Sequence, residues 1–262
     1  MRHLIALIAG IPAGCALAGT PSEPAFDHDH QALACFLDGA VQERGVDYGA
    51  LASKRAELGS YLERLAEAPL SSFTEQEQLA LWVNAYNAHT LALVLDHPGL
   101  ASIKDLDDGE VWKRRTFRVG GQDLTLDAME HERARPLSDG RVHAVLSCAA
   151  RGCPPLPSSP LRASTLDAQL SEAATVWART NAYKIRGGTL HLSQVFKWYA
   201  EDFEPYRRKV RGADPAQAGA IGFIATFSRR DDAERLTAGA FDVDWEPYDW
   251  ALNRLPSPQE PR

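Results

Sequence analysis

The sequence predicts an α+β fold: a single domain with N-terminal helices packed on a small, mostly antiparallel sheet. Three observations carry this. Apolar residues recur at spacings of three and four through the first part of the chain, short alternating runs follow later, and no linker-like stretch is long enough to separate two domains. With 262 residues, 45% of them hydrophobic and 24% charged, the chain lies in the ordinary globular range. Six Trp, nine Phe and seven Tyr supply ample core material and exclude a disordered chain. The net charge is -7. No run of Lys and Arg forms the basic stripe that a nucleic-acid binder needs, and adhesion of the domain to anionic lipid is excluded on the same ground.

Each element has its own signal. Residues 29–44 space their apolar positions as a helix does, and residues 49–67 do so again after Val46-Asp47-Tyr48. Thr74 with Glu77 three positions on is a capping-box signature. It opens the clearest helix in the chain, EQEQLALWVNAYNAHTLALVLDH, which His97-Pro98-Gly99 stops. FRVGGQDLTL, residues 117–126, alternates on both sides of Gly120-Gly121 and predicts a hairpin. Asp127 is then expected to cap a helix, DAMEHERAR, ending at Pro136. Residues 141–147, RVHAVLS, predict a buried strand leading into a Pro-rich loop. Thr165 opens a helix to about Ala182, residues 184–192 predict a second hairpin around Gly187-Gly188, and Ser193 caps QVFKWYAEDF. Residues 215–228 predict a last helix, and 241–248 an end strand.

Residues 1–18, MRHLIALIAGIPAGCALA, predict a signal peptide. Arg2 provides the positive start, Leu4 to Ile11 a short apolar run, and Ala16-Leu17-Ala18 the small-x-small cleavage rule. The run is shorter than the roughly 20 residues that span a bilayer, so no transmembrane span is expected. Ala13-Gly14-Cys15 offers an alternative, a lipoprotein box with a lipid anchor at Cys15, although Pro12 stands where that box prefers Leu. Both readings put the protein in the periplasm, the cell envelope or the medium. Residues 19–28 then form a linker, 29–252 the domain, and 253–262 a flexible tail.

An oxidising compartment makes the cysteines informative. Cys35, among Leu33, Phe36, Leu37 and Val41, predicts a small buried apolar residue. Cys148 and Cys153 bracket a tight segment, SCAARGC. They are either bridged, or one is a nucleophilic thiol with a structural neighbour.

LWVNAYNAHTL, FRVGGQDLTLDAMEHERAR, RVHAVLSCAARGCPPL and LHLSQVFKWYAEDF occur in that order. Together they resemble the domain of unknown function 547 family. Val46-Asp47-Tyr48-Gly49-Ala50-Leu51 and Tyr248-Asp249-Trp250 fit the same pattern, so the resemblance covers most of residues 30–252. One departure is Glu132, where the family usually has Gly after the Glu-His pair. The resemblance carries no reaction with it.

The chemistry must come from the residues. A thiolate nucleophile needs a base or a positive partner to lower its pKa. Cys148 is the candidate nucleophile for acyl transfer, or for hydrolysis of an amide or thioester, in a papain- or transglutaminase-like site. His131 is the first candidate for its base and His143 the second, because strand periodicity points Cys148 away from His143. Glu130, Asn84 or Asn87 would orient the imidazole. Asn84 and Asn87 share a face of an otherwise apolar helix, so the alternative is that they clamp a neighbouring loop. Backbone N–H groups of Ala149-Ala150-Arg151-Gly152 could hold an oxyanion. Phe196, Trp198, Tyr199 and Phe203 are core or pocket wall. The substrate class is a small molecule or peptide.

Rival readings use the same residues. Cys148, Cys153, His131 and His143 are zinc ligands by type, but the C-x4-C spacing is loose and no second close pair exists, so no metal is expected. No cofactor is expected either, since no P-loop, dinucleotide-binding or serine-elbow motif occurs. A reading from another class is a non-catalytic envelope binding module closed by a 148–153 disulfide. A redox exchange pair lacks the C-x-x-C spacing.

Overall fold

The computed structural model of the chain describes residues 25–210, 214–239 and 241–256. The signal peptide expected over 1–18, Cys15 with its lipid anchor, and the end of the tail lie outside the described residues. In chain order come α1 (Gln31–Leu37), β1 (Val41–Gln42), β2 (Gly45–Val46), α2 (Tyr48–Ala52), α3 (Arg55–Ala66) and α4 (Glu75–Leu95). Next are α5 (Val111–Arg114), β3 (Thr116–Val119), β4 (Gln122–Thr125) and α6 (Leu126–Ala128), which runs on as a π-helical turn, Met129–Ala134. The rest is α7 (Leu166–Thr180), β5 (Tyr183–Arg186), β6 (Thr189–Leu192), α8 (Gln194–Trp198), α9 (Ala200–Phe203), α10 (Pro215–Phe227), α11 (Arg230–Thr237) and β7 (Asp242–Trp245).

Helix α4 organises the larger of two cores. It is apolar on nearly every side, and Leu79 through Val94 are buried without a break. A helix with no polar face belongs inside, covered all round. Its start is fixed as the sequence predicts: Thr74 accepts from the Glu77 amide while the Glu77 carboxylate accepts from the Thr74 amide at 2.8 Å. The smaller core is aromatic. Trp177 of α7 stacks on Phe196 of α8 with centroids 4.5 Å apart, and Phe203 and Phe223 close round them. Such pairs contribute about 0.5–1.5 kcal/mol each beyond the area they bury.

The fold is α+β, but the strands form three small sheets rather than one. β1–β2, β3–β4 and β5–β6 are antiparallel hairpins, and β7 adds to β6 in parallel, Leu190 opposite Val243. Helix packing, not a sheet face, therefore carries the cores. The Gly120-Gly121 turn has both φ angles positive, +57° and +74°, as a tight hairpin requires. Its amides also donate to the last carbonyls of α3, Gly120 to Leu65 at 2.8 Å and Gly121 to Ala66 at 2.7 Å. The turn thereby satisfies acceptors that a helix end leaves open.

Several local expectations are corrected. Residues 141–147 are not a strand: Gly140–Ala144 is a 3-10 turn, opened by the Asp139 carboxylate accepting from the Arg141 amide at 2.9 Å. A short buried apolar run does not distinguish a strand from other buried backbone by periodicity. The helix expected over 29–44 ends at Leu37, and the one over 49–67 breaks at Ser53-Lys54. Thr125, not Asp127, caps α6, accepting from the Ala128 amide at 3.0 Å. Cys35 lies on the solvent face of α1 rather than in the core. The expected linker already packs at Phe26, whose ring meets Phe73 at 5.0 Å. The expected tail is tied down at its start, where Asn253 and Leu255 pair with Val46.

Two buried histidines set a pH dependence for this packing. Burial lowers His30 and His89 from 6.5 to about 4. Between those values the unfolded chain binds protons that the folded chain excludes, so stability rises with pH through this window and is lost as pH falls. Thermal melts should therefore show a lower midpoint near about pH 4.5 than near about pH 7. His89→Leu should flatten the slope by about 3 kcal/mol across the window. An unchanged slope in that variant would remove His89 as a contributor.

Candidate active site

The site begins with two amides on α4. Asn84 donates to the Leu161 carbonyl and accepts from the Leu161 amide, both at 2.9 Å. Asn87 donates to the Val145 carbonyl at 2.8 Å and accepts from the Ser147 amide at 2.9 Å. These are the bonds that a neighbouring strand would have made. They explain why the apolar run 141–147 needs no sheet. Neither amide meets a histidine, so the orienting role is replaced by a clamp on the chain entering and leaving the Cys148 loop.

Beyond Ser147 the chain turns sharply. Ala149 has φ +61°, a left-handed conformation that a residue with a Cβ adopts at a cost of about 1–2 kcal/mol. The loop lies against the segment after β7: the Arg151 amide donates to Ala251, Gly152 to Asp249, and Asn253 back to Ala149. A Cβ on Gly152 would stand 2.9 Å from the Tyr248 ring, so only glycine fits there. Of the four amides expected to hold an oxyanion, those of Arg151 and Gly152 are committed to carbonyls and that of Ala150 faces the Cys148 sulfur, while the Cys148 amide itself donates to the Cys153 sulfur.

Cys148 and Cys153 are both free thiols, with Sγ atoms 3.1 Å apart. Hydrogen bonding to Cys153 pulls Cys148 below the ordinary thiol value. Burial opposes this, and the Tyr248 hydroxyl, at 3.1 Å, and the Ala150 amide add to it. Burial pushes Cys153 well up, as does the sulfur beside it. The buried thiol thus keeps its proton and shares it with Cys148, the half-buried sulfur. No histidine nitrogen is among the hydrogen-bond partners of Cys148.

The histidines belong to a separate chain of charge. Arg135 donates from Nε to Asp202 at 2.8 Å, from Nη2 to Glu201 at 2.6 Å, and from Nη1 to His131 Nδ1 at 2.8 Å. A guanidinium only donates, so His131 accepts through Nδ1 and carries its hydrogen on Nε2. That nitrogen is 3.6 Å from Asp127, too long for a hydrogen bond. His143 Nε2 lies 2.7 Å from the same Asp202 oxygen. A carboxylate only accepts, so Nε2 carries the hydrogen and Nδ1 is the basic nitrogen. Burial opposes ionisation of Asp202, but the bonds from His143 and Arg135 hold its carboxyl well below the usual range. Tyr199 covers this assembly, 4.1 Å from His143 and 5.9 Å from His131.

Glu130 is buried near the Tyr199 hydroxyl, which burial and then this carboxylate push far up. It does not orient either imidazole. The π-helical turn sets Glu130 and His131 on the same cavity although they are adjacent in sequence. Such turns recur at functional sites.

Cys148, His131, His143 and Glu130 all line one cavity of about 320 Å³, a size suited to a small ligand or a side chain. Trp112, Trp198, Tyr248 and Trp250 form a continuous ring-contact wall along it. Asp202, Arg135 and Tyr248 escaped the sequence reading. Asp202 was legible only as an acid three positions after Tyr199. Tyr248 had its place in the resemblance but no sign of its bond to a cysteine a hundred residues earlier. Phe196 and Phe203 are core, while Trp198 and Tyr199 are cavity wall.

Two substitutions test this construction. Asn87→Ala should destabilise the protein by about 2–4 kcal/mol, since it strands the Val145 carbonyl and the Ser147 amide; denaturant unfolding reads this. Tyr248→Phe removes a donor to the Cys148 sulfur and should raise its thiol pKa, read from the pH dependence of alkylation; an unchanged profile would show that the hydroxyl does not stabilise the thiolate.

No curated protein and no solved structure matches the chain, and a papain- or transglutaminase-like architecture gains no support there. Residues 70–178 match the family described as "Protein of unknown function, DUF547". This segment holds α4 with both clamping asparagines, the π-helical turn, His143 and both loop cysteines, and over it the chain is similar to the DUF547 family.

Proposed function

We propose that the protein is a cysteine-dependent hydrolase or acyl transferase acting on an amide or thioester. The observation that carries this is the convergence of a sulfur drawn toward thiolate, a histidine–aspartate pair and a second histidine on one cavity. Cys148 attacks the carbonyl carbon. His143, held through Nε2 by Asp202, takes the thiol proton on Nδ1 and passes it to the leaving amine or thiol. The carbonyl oxygen becomes an oxyanion, and the His131 Nε2–H is a donor for it alongside the amides near Ala149. Water or an acceptor amine then attacks the acyl-cysteine, giving its proton to His143 as the thiolate leaves.

This assignment reverses the order of the two histidines. His143 is the base because its carboxylate partner would stabilise the imidazolium. His131 is kept a donor by Arg135.

A second reading, a non-catalytic binding module, draws on the 3.1 Å separation of the two sulfurs, which a bridge could close. Thiol titration of protein taken from its own compartment separates the two: a bridged pair favours the module, and free Cys148 and Cys153 favour the enzyme. We place the protein in the periplasm, envelope or medium on the strength of its first eighteen residues.

In a Cys35→Ser background, which removes the exposed thiol of α1, Cys148→Ser should fold with an unchanged melting midpoint and lose labelling by a thiol-directed acyl probe. His143→Gln should keep the label site but slow labelling by roughly 10²–10⁴-fold, the usual range for loss of a general base. Full labelling of the Cys148→Ser protein would remove this cysteine as nucleophile.

A further inference from the structure

Two carboxylates line the cavity, Asp127 and Glu130, and a third, Asp202, bonds a histidine of its lining. Asp202 is met by Arg135 and His143, and Asp127 stands near His131. Glu130 is 8% exposed, lines the cavity, and has no ion pair among the described residues. The group that responds to it is the nearby Tyr199 hydroxyl, which carries no charge. A buried carboxylate without a cation costs several kcal/mol, which a bound cation would offset. The cationic side chain that lines the cavity is Lys113, which is exposed at the rim, where solvent and salt screen its charge.

The wall beside Glu130 suits the same kind of group. Trp198 is 48% exposed, an unusual position for so large an apolar side chain. It makes ring contact with Tyr248 at 4.8 Å and Trp250 at 6.0 Å. The protein already seats an ammonium on this wall: Lys104 Nζ stands 4.7 Å from the Trp250 ring. Indole faces attract cations through the ring quadrupole. An anionic substrate would meet repulsion from Glu130 and from the Cys148 sulfur.

We infer that the cavity takes a substrate bearing a cationic amino group, with Glu130 as its counter-charge and the Trp198–Tyr248–Trp250 wall as its apolar seat. As the substrate class of the cysteine site this rests on the reading above; as a binding site it does not. On that reading the amino group belongs either to the acyl portion or to the acceptor amine, and both present an ammonium before reaction.

The test is a titration followed by tryptophan fluorescence on the full chain carrying Cys148→Ser, at constant ionic strength. The probes are n-butylammonium, the neutral isostere 1-butanol and the anion butyrate. The expected result is saturable binding of butylammonium at least about tenfold tighter than either comparison ligand, a difference of about 1.4 kcal/mol. Glu130→Gln should lose at least that factor. Equal affinity for butylammonium and butanol in the Cys148→Ser protein overturns the inference, whether or not the Glu130 variant folds. Undiminished binding by a folded Glu130→Gln protein overturns it as well. Because this protein lacks the nucleophile, a failure of the cysteine chemistry shows only in the labelling experiment and leaves the titration readable.

Discussion

The structure of the site depends on one side-chain amide. Asn87 lies in the buried stretch of a mostly apolar helix, and both ends of its amide are bound to main chain. A segment carrying His143, Ser147 and Cys148 crosses the interior without a strand beside it. Its polar backbone would otherwise be buried unpaired, which proteins rarely tolerate. Asn84 repeats the device one helical turn earlier, on the chain leaving the cysteine loop. Two amides three residues apart thus hold the entry and exit of the loop against one rigid helix. The strained Ala149 between them is held by this bracing from one side and by Asn253 from the other.

The same economy appears in the charges. Arg135 reaches a histidine and two carboxylates from one planar fork, a geometry lysine does not offer. It also stands 5.2 Å from the Tyr199 ring, which in turn faces both histidines. The two imidazoles are thereby placed in different roles by one side chain: one accepts from the guanidinium itself, the other donates to the carboxylate that the guanidinium steadies. The thiol pair stands apart from this chain and is tuned by its own neighbours, Cys153, Tyr248 and the Ala150 amide.

The elements that the sequence made legible are those whose signals are local. The capping box at Thr74, the Gly-Gly hairpin and the Ser193 cap act over two to three residues, and each appears where its chemistry requires. The 141–147 run carries a strand pattern without a strand partner, because its polar backbone is met by a side chain from a helix some sixty residues earlier. The residue types of the cavity were legible: Cys148, His131, His143 and Glu130 stood out and all line it. Their pairing was not. Asp202 bonds His143 across fifty-nine positions, and Tyr248 bonds Cys148 across a hundred. Helix α11 was missed because its residues are mostly charged, with Leu236 the one buried position, which leaves little apolar pattern to read.

The π-helical turn over Met129–Ala134 has a consequence for how this segment tolerates change. Bonding from i to i+5 accommodates one more residue than an α-turn does. Removing one residue of the wide turn would restore ordinary α spacing with the flanking segments still in register, while the residues inside the turn would each take a new position about 100° apart. Glu130 and His131 would then no longer both face the cavity. Exchanges of side chain on the outer face of this turn are compatible with the cavity, while a change of length by one residue is not, so the segment is constrained in its count of residues more tightly than in their identity.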